Sequence, residues 1–422
     1  MHGKLRVPGD KSISHRSVIL GALAQGETEV SGLLEGEDVL ATVAAFQAMG
    51  VAMQGPHRGK LAIHGVGLHG LKAPAQALNM GNSGTAMRLI AGVLAGQAFD
   101  SELIGDASLS KRPMGRIIKP LTDMGAVIHA QQDGRPPLKI TGGQSLKGID
   151  YRLPMASAQV KSGVLLAGLY AQGKTAVTEP APTRDHTERM LRGFGYEVTQ
   201  AGATASLTGG GKLTGCHLDV PADISSAAFF LVGAAIAHDS ELVLEHVGIN
   251  PTRVGVLNIL RQMGADIQLM NEKTVSGEPV ADIRVRASSL SGISIPKDQV
   301  PLAIDEFPVL FIAAACARGT TILSGAEELR VKESDRIAVM AKGLRILGIE
   351  IEETPDGAII QGGQLQGGHV DSEGDHRIAM AFAMAGLRAD GAITILDCEN
   401  VNTSFPGFDV LARQAGLQVS VK

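Results

Sequence analysis

The sequence repeats one unit of secondary structure six times, and this repeat restricts the possible folds more than any other feature. In each unit a helix of small apolar residues leads to a short strand, a polar loop and a second helix that closes on an apolar residue and glycine. The six closing pairs are Met49-Gly50, Met124-Gly125, Phe194-Gly195, Met263-Gly264, Leu347-Gly348 and Ala415-Gly416. Successive closing glycines lie 75, 70, 69, 84 and 68 residues apart. These spacings exceed the period of about 20–50 residues that is typical of solenoids and propellers.

Hydrophobic patterning within the repeats predicts the elements themselves. Runs such as 227–237 and 309–317 are apolar on every face, so these helices should be buried among sheets and other helices. Alternating segments such as 61–64 and 138–140 predict short strands. A chain of 422 residues favours two domains of about 200 residues. We therefore predict an α/β fold of two similar lobes, each with three repeated units of buried helices and short-stranded sheets.

Two similar segments predict where the chain crosses between these lobes. Val7-Pro8-Gly9-Asp10 and Val220-Pro221-Ala222-Asp223 each place proline and aspartate just before a helix start that contains serine. With crossings at these segments, the first lobe is discontinuous and comprises residues 1–9 and 223–422, and the second lobe comprises residues 10–222. A cleft between two such lobes is the expected place for a small-molecule active site.

Composition argues against several classes of partner. The formal net charge is −5 and aromatic residues make up 3% of the chain, so we expect no nucleic-acid or anionic-membrane binding. The longest apolar run, 227–237, is shorter than the ~20 residues of a membrane-spanning helix. Cys216, Cys316 and Cys398 are far apart and form no zinc or disulfide motif. Because the N-terminus also lacks an apolar signal segment, we expect a cytoplasmic protein.

Residues 81–88, Gly-Asn-Ser-Gly-Thr-Ala-Met-Arg, are a candidate ligand site. Gly81 and Gly84 let the backbone turn tightly and approach a ligand, and the polar residues around them can cap a helix that continues through Leu94. The N–H groups and positive dipole of that helix start attract an anion, and Arg88 adds a full charge one turn later. Taken alone, the motif is equally typical of an ordinary glycine turn before a core helix.

Basic and hydroxyl residues recur at the starts of other predicted helices. Lys11, Ser12 and Arg16 open the first helix, where positive charges are unfavourable unless an anion binds. Similar positions occur in later repeats and are held by Arg112, Ser157, Gln159 and Arg377. Each alone is typical of a cap or a surface ion pair. Together they supply enough charge to bind several phosphates and carboxylates.

The second half of the chain adds carboxylates to this pattern. Asp305 immediately precedes an apolar helix. In the segment 330–336 we expect Lys332 and Arg336 to lie at i,i+4 on one helix face, with Glu333 beside them. A buried carboxylate among such cations, Asp305 or Glu333, can act as a general acid or base.

These motifs jointly resemble those of 5-enolpyruvylshikimate-3-phosphate synthase, in the enolpyruvyl transferase family. The resemblance runs in order from residue 7 to residue 408. It is carried by Lys11-Ser-x-Ser-x-Arg16, residues 81–88, Lys111-Arg-Pro-Met-Gly115, Ser157-Ala-Gln159, Arg330-Val-Lys-Glu-Ser-Asp-Arg336 and Asp375-His-Arg377. It implies the inverse α/β barrel fold of that family, with two lobes of three units that close on substrate. The implied reaction moves the enolpyruvyl group of phosphoenolpyruvate to the 5-hydroxyl of shikimate 3-phosphate and releases phosphate, in the shikimate pathway to chorismate and the aromatic amino acids.

The resemblance also implies a role for each matched residue. Asp305 would take the proton of the 5-hydroxyl, and Glu333, assisted by Lys11, would protonate the methylene carbon of phosphoenolpyruvate. Shikimate 3-phosphate would be held by Lys11, Ser12, Arg16, Ser157, Gln159, Asp305 and Lys332. Phosphoenolpyruvate would contact Lys11, Gly84, Arg112, Gln159, Arg336 and Arg377. No metal or cofactor is implied, and we expect a monomer.

Three positions depart from the best-known family pattern. Ala158 stands where some members have a second serine, and Thr183-Arg184 replaces a serine-containing loop. The segment 402–406 has no lysine where many members place one against phosphoenolpyruvate. That lysine contact is therefore in doubt, whereas the reaction is not. In the family, the small residue at Gly84 leaves room for the inhibitor glyphosate.

Two other functions remain to be distinguished. The sister enzyme that uses UDP-N-acetylglucosamine carries a cysteine in the loop before an Arg-Pro pair, and here the loop 105–111 before Arg112-Pro113 has none. A non-catalytic protein that binds phosphate ligands or RNA ends is the other alternative. Net acidity and few aromatics argue against RNA, and the presence of both Asp305 and Glu333 argues for catalysis.

Overall fold

The computed structural model describes residues 1–421, in which twelve α-helices alternate with twenty-one strands. The helices are α1 Lys11–Leu23, α2 Glu37–Ala48, α3 Gly84–Leu94, α4 Gly115–Asp123, α5 Ala158–Gly168, α6 His186–Gly193, α7 Ile224–Ile236, α8 Gly255–Gln262, α9 Phe307–Ala315, α10 Arg336–Ile346, α11 His376–Ala385 and α12 Phe408–Gln414. None of the helices in the described residues is long and apolar enough to cross a membrane.

The strands are short and form six sheets within residues 1–421. They are β1 His2–Leu5, β2 Gln25–Ser31, β3 Ala52–His57, β4 Lys60–Val66, β5 Leu78–Asn79, β6 Ser101–Ile104, β7 Val127–His129, β8 Leu138–Thr141, β9 Asp150–Arg152, β10 Lys174–Thr178, β11 Thr199–Ala201, β12 Thr204–Thr208, β13 His217–Asp219, β14 Glu241–Gly248, β15 Asp266–Val275, β16 Glu278–Arg286, β17 Thr320–Leu323, β18 Ile351–Thr354, β19 Gly357–Gln361, β20 Gly368–Asp371 and β21 Ile393–Leu396.

The chain divides into two compact lobes. The first lobe contains Met1–Pro8, Pro221–Thr274 and the described chain from Pro279 onward. The second lobe contains Gly9–Val220 together with the four residues Val275–Glu278. Each lobe has its own continuous core of buried aliphatic side chains.

Each sheet of the second lobe has the same strand order. In the sheet β5-β6-β8-β7, β5 pairs parallel with β6, and the pairs β6–β8 and β8–β7 are antiparallel. The sheets β9-β10-β12-β11 and β13-β2-β4-β3 repeat this order. A parallel pair requires a crossover, which α3 supplies between β5 and β6, and α5 between β9 and β10. The repeat is therefore a β-α-β-α-β-β unit.

Discontinuous repeats show how the chain passes between the lobes. Strand β13 lies late in the second lobe but pairs with β2, and so completes the repeat that begins with α1. In the first lobe, β1 pairs with β14 and completes the repeat that begins with α7. The other two sheets of the first lobe, β17-β19-β18 and β20-β21, contain part of the same pattern. The predicted α/β fold of two lobes with three repeats each is confirmed.

The six closing glycines end the second helix of every repeat in the same way. Each has a positive φ, between 80° and 105°. In each case the next residue donates its N–H to the carbonyl five positions back, as from Tyr196 to Leu191 and from Ala265 to Leu260. This is the Schellman arrangement, which satisfies helix-end carbonyls and favours glycine because a Cβ is strained there. The repeated apolar-Gly pair of the sequence is therefore a helix stop.

The first helices of the repeats form the centre of each lobe. Every residue of α7 and α9 is buried, and both helices pack against α11. In the second lobe α3 packs on α5 through glycine, because a Cβ on Gly92 would lie 2.1 Å from the carbonyl oxygen of Gly163. Burial of these helices places their polar N-terminal residues at one end of each lobe's core.

Substitution of one closing glycine tests this explanation of the repeat. A Cβ on Gly195 meets no atom within 4 Å, so Gly195→Ala should lower the free energy of unfolding by about 1 kcal/mol through backbone strain alone. The matched control is Gly193→Ala, at the last residue of α6, which is also sterically open and should stabilise by up to about 1 kcal/mol. Urea unfolding of both variants measures the two effects. Equal effects of the same sign would contradict the assignment.

Candidate active site

The predicted site residues fall into two sets, one in each lobe. The second lobe holds Lys11, Ser12, Arg16, Gly84, Arg112, Ser157 and Gln159. The first lobe holds Asp305, Lys332, Glu333, Arg336 and Arg377. Every member except Arg16 lies in the first turn of a helix or in the segment that leads to one, and Arg16 is the sixth residue of α1.

The positive charge at the start of α1 is paired with a carboxylate of the protein. Asp10 caps the helix by accepting the N–H of Ile13 at 2.8 Å, and Lys11, the first helical residue, forms an ion pair with Asp38. The expectation that a lysine here requires a bound anion is therefore too strong, because Asp38 already compensates its charge.

Arg16 is buried and all three of its guanidinium nitrogens donate to protein oxygens. Nε donates to Thr187 Oγ1 at 2.6 Å, Nη1 to the carbonyl of Ser12 at 2.8 Å and Nη2 to Ser162 Oγ at 2.7 Å. Burial lowers the pKa of Arg16 to about 10, and the nearby Glu188 carboxylate opposes this effect. Arg16 is thus charged at neutral pH and ties α1 to α5 and α6.

A buried histidine, which the sequence analysis did not single out as a site residue, links α1 to the start of α3. His15 Nδ1 lies 2.8 Å from Thr42 Oγ1, and Nε2 lies 3.4 Å from Ser83 Oγ. Burial, with the charges of Lys11 and Arg16, holds the pKa of His15 well below its usual range. His15 is therefore neutral at physiological pH, and its two ring nitrogens connect Thr42 with Ser83 by hydrogen bonds.

The start of α3 brings several predicted residues together. Ser83 caps the helix and Gly84 is its first residue. Arg88 Nη1 donates to Gln159 Oε1 at 2.6 Å, and the amide nitrogen of Gln159 donates to Thr85 Oγ1 at 2.9 Å. A Cβ on residue 84 would lie 2.8 Å from Arg88 Nη1 and 3.6 Å from Arg112 Nη1. Two guanidinium groups therefore flank the glycine.

Arg112 is held by side chains from two loops. Its Nη2 donates to Asn82 Oδ1 at 2.8 Å, and Asn82 Nδ2 donates to Asp106 Oδ2 at 2.8 Å. Asn82 and Asp106 were absent from the predicted site, although Asn82 lies inside the glycine motif. Because Asn82 both accepts and donates, it can orient Arg112 towards the start of α3.

Lys161, one turn into α5, is another residue that the sequence did not reveal. It is 1% exposed, and its Nζ lies 2.8 Å from carboxylate oxygens of both Glu179 and Glu188. At the start of the same helix, Ser157 is the cap and accepts the N–H of Val160. The helix is thereby tied to the segments around it by charge as well as by packing.

Arg336, the first residue of α10, is the centre of the site in the first lobe. It is 2% exposed and contacts three carboxylates. Nε donates to Asp375 at 2.8 Å, Nη2 to Glu333 Oε2 at 2.7 Å and Nη1 to Asp305 Oδ1 at 3.4 Å. Burial alone would lower the pKa of Arg336, but the charges of Asp375, Glu333 and Asp305 raise it instead. The guanidinium is therefore permanently charged.

Asp375 is the most deeply buried of these carboxylates and has a second role. It caps α11 by accepting the N–H of Arg377 at 3.0 Å, and Ser334 donates to it at 3.1 Å. Burial opposes ionisation of Asp375, yet the Arg336 guanidinium holds its pKa below the usual range. A charged Asp375 is therefore part of the folded structure.

The expectation that Lys332 and Arg336 lie four residues apart on one helix face is wrong. A short 3-10 helix ends at Val331, and α10 begins only at Arg336, after the cap Asp335. Lys332 still reaches the same carboxylate, because its Nζ lies 3.5 Å from Asp305 Oδ1 and 2.5 Å from Glu328 Oε1. The intervening Ser-Asp favours a cap over a continuous helix.

Arg377 lies beside Asp305 through a backbone contact. Its Nη1 donates to the carbonyl oxygen of Asp305 at 3.2 Å and lies 3.8 Å from Glu306 Oε1. The first lobe thus gathers Asp305 and Glu333, both partly exposed, among the cations Lys332, Arg336 and Arg377. Such a cluster binds anionic substrates and places carboxylates for proton transfer.

Comparison with known proteins gives one consistent result. A family model described as EPSP synthase (3-phosphoshikimate 1-carboxyvinyltransferase) matches residues 1–410. A protein of Alkalilimnicola ehrlichii named 3-phosphoshikimate 1-carboxyvinyltransferase is 66% identical over 100% of this chain and 94% of its own length. One of the same name from Acidithiobacillus ferrooxidans is 69% identical over 99% of this chain and 96% of its own length. A solved structure of EPSP synthase from Acinetobacter baumannii is 63% identical, with a TM-score of 0.91, and the match covers 100% of this chain and 97% of that one.

Removal of the Asp375 charge tests the central ion pair. Asp375→Asn should lower the free energy of unfolding at pH 7 by about 3 kcal/mol, because a buried cation loses its most deeply buried partner. The folded pKa of Asp375 lies below the unfolded value, so its contribution is complete above about pH 4 and is lost as pH falls through the folded pKa. The difference between wild type and variant should therefore shrink below about pH 4.

Denaturant unfolding between pH 3 and pH 7 measures this dependence. The control is Asp123→Asn, which removes an exposed partner of Lys119 and should leave stability nearly unchanged at every pH. A penalty for Asp375→Asn that stays constant down to pH 3 would contradict the account.

Proposed function

This chain belongs to the EPSP synthase family, and on that premise we propose that it transfers the enolpyruvyl group of phosphoenolpyruvate to the 5-hydroxyl of shikimate 3-phosphate. Phosphate is the second product, and the reaction belongs to the shikimate pathway to chorismate and the aromatic amino acids. The observation that carries this proposal is the Arg336 cluster, in which one buried guanidinium holds the partly exposed carboxylates of Asp305 and Glu333.

The charges of the substrates account for the cations. Each substrate carries one phosphate and one carboxylate, and such groups are bound by arginine forks and lysine charges. We propose that Lys11, Ser12, Arg16, Ser157, Gln159, Asp305 and Lys332 hold shikimate 3-phosphate. We propose that Lys11, Gly84, Arg112, Gln159, Arg336 and Arg377 hold phosphoenolpyruvate. Both sets draw on the two lobes, so the proposal requires both lobes to act on one substrate pair.

Proton transfer is the task of the two carboxylates. Asp305 takes the proton of the 5-hydroxyl as its oxygen bonds to C2 of phosphoenolpyruvate, and Glu333, with Lys11, delivers a proton to C3. The resulting tetrahedral intermediate then loses a proton from C3 as the bond between C2 and the phosphate oxygen breaks. The double bond re-forms and phosphate leaves. General acid–base catalysis of this kind requires carboxylates within hydrogen-bond reach of the reacting atoms.

Arg336 can assist this sequence by exchanging partners. Its contact with Asp305 is 3.4 Å, longer than those with Glu333 and Asp375. A substrate carboxylate that binds Nη1 would displace Asp305 from the guanidinium. The Asp305 carboxylate would then be available to accept a proton. Arg16 differs, because its three nitrogens are already bound to hydroxyl and carbonyl oxygens of the protein. We propose that Arg16 contributes to holding shikimate 3-phosphate mainly by fixing Ser12 and α1.

The two alternatives are less well supported. The sister enzyme requires a cysteine before the Arg-Pro pair, whereas the cysteines here are Cys216, Cys316 and Cys398. A protein that only binds its ligand has no use for Asp305 and Glu333 in contact with one arginine.

We further propose that residues 1–9 with 223–422 and residues 10–222 act as two domains of a cytoplasmic monomer. The three free cysteines are consistent with a reducing compartment. Size-exclusion chromatography with light scattering tests the monomer, for which a mass near 43.8 kDa is expected.

Phosphate release tests the proposed reaction. The purified protein is mixed with phosphoenolpyruvate and either shikimate 3-phosphate or UDP-N-acetylglucosamine. Release that requires shikimate 3-phosphate is the expected result. Release only with the nucleotide sugar, or none with either acceptor, would contradict the proposal.

Removal of either carboxylate charge should stop turnover and spare binding. Asp305→Asn and Glu333→Gln should each lower kcat by about 10²–10⁴-fold, the range typical of general acid–base groups. Substrate binding, measured by calorimetry, should persist in both. The control Glu353→Gln removes a carboxylate that pairs with Arg345 in the same lobe and should leave kcat unchanged. Retained turnover in both site variants would show that these carboxylates do not transfer protons.

A further inference from the structure

A chain of buried polar residues in the first lobe has no part in the steps above. Asp223, Arg253 and Glu306 are only 6%, 3% and 2% exposed. Arg253 Nη2 lies 3.2 Å from Asp223 Oδ1 and donates to Ser225 Oγ at 2.6 Å, and the Ser225 hydroxyl donates to Glu306 Oε1. Glu306 Oε1 in turn faces Arg377 Nη1 at 3.8 Å. This series of side-chain contacts therefore connects the start of α7 with the start of α11.

Helix capping does not explain Glu306. It occupies the cap position of α9, but its side chain makes no capping hydrogen bond. Its carboxylate instead extends to Ser225 and Arg377. Stability is also a weak explanation, because buried ion pairs are often no more stabilising than apolar residues of the same volume. The position of this carboxylate between Ser225 and Arg377 therefore calls for another explanation.

The contacts of Arg377 show which part of its guanidinium group the protein restrains. Both contacts of its guanidinium with the described residues go through Nη1, to the Asp305 carbonyl and to Glu306. The edge formed by Nε and Nη2 has no partner among residues 1–421. Through such an edge, the two N–H groups of an arginine bind a carboxylate or phosphate with two parallel hydrogen bonds. Restraint at Nη1 therefore orients the opposite edge and does not occupy it.

We propose that Glu306, fixed by Ser225 and Arg253, is a positioning residue that holds the Arg377 guanidinium with its Nε–Nη2 edge directed at phosphoenolpyruvate. The inference rests on the proposed function, since it takes the assignment of Arg377 to phosphoenolpyruvate from there. Glu306 touches neither substrate. Its effect should therefore appear in the binding of one substrate, through the geometry of one arginine.

Steady-state kinetics of Glu306→Gln test this role. Loss of the charge should raise the KM for phosphoenolpyruvate about tenfold, with kcat within about threefold and the KM for shikimate 3-phosphate within about twofold of wild type. Glu306→Asp keeps the charge and should restore part of the affinity. Ser225→Ala removes one oxygen from the chain and should raise the same KM by about threefold. It also supplies the test if Glu306→Gln does not fold.

The matched control is Glu278→Gln in the second lobe. Glu278 is also 2% exposed and pairs with His186, so its substitution should lower the thermal unfolding temperature without changing the KM for phosphoenolpyruvate. An unchanged KM in Glu306→Gln and Ser225→Ala, or a parallel rise of both KM values, would overturn the inference. A wild-type protein without phosphate release would instead overturn the proposed function.

Discussion

Burial of the Arg336 guanidinium is the constraint on which the site in the first lobe depends. A charge removed from water is tolerated only when partners surround it, and Asp375, Glu333 and Asp305 provide them. The same three contacts determine where those carboxylates lie. Asp375 is fixed as the cap of α11, whereas Asp305 and Glu333 stay partly exposed. One cation thus separates a structural carboxylate from two that can act on a substrate.

The repeat explains why these groups meet. Every repeat begins with a buried helix, whose N-terminal N–H groups need acceptors and whose dipole favours anions. In the first lobe Asp223 and Asp375 meet that need for α7 and α11. In the second lobe serines cap α3 and α5, which leaves the helix starts without added negative charge beside Arg88 and Arg112. The same fold element therefore carries an acidic cap beside Arg336 in the first lobe and serine caps beside Arg88 and Arg112 in the second.

The fold was largely predictable from the sequence. The closing glycines mark positions where the backbone needs a positive φ, and the apolar helices mark segments that must be buried. The site was only partly predictable. The residues of the motifs were found, but the helix expected over Lys332 and Arg336 was wrong, since the cap Asp335 delays α10. Asp38 as the partner of Lys11, and the buried Lys161, Arg253 and Glu306, depend on contacts between distant segments, which no spacing reveals. The individual roles came from the family resemblance and stay predictions.

The central claim is that protein carboxylates move protons on and off C3 of phosphoenolpyruvate while phosphate leaves from C2. Turnover in D₂O measures this most directly, with mass spectrometry and NMR of the product. Protonation of C3 creates a methyl group that must lose one hydrogen again, so the account predicts deuterium in the vinyl methylene group of the product. A product formed in D₂O without deuterium at that carbon would contradict it.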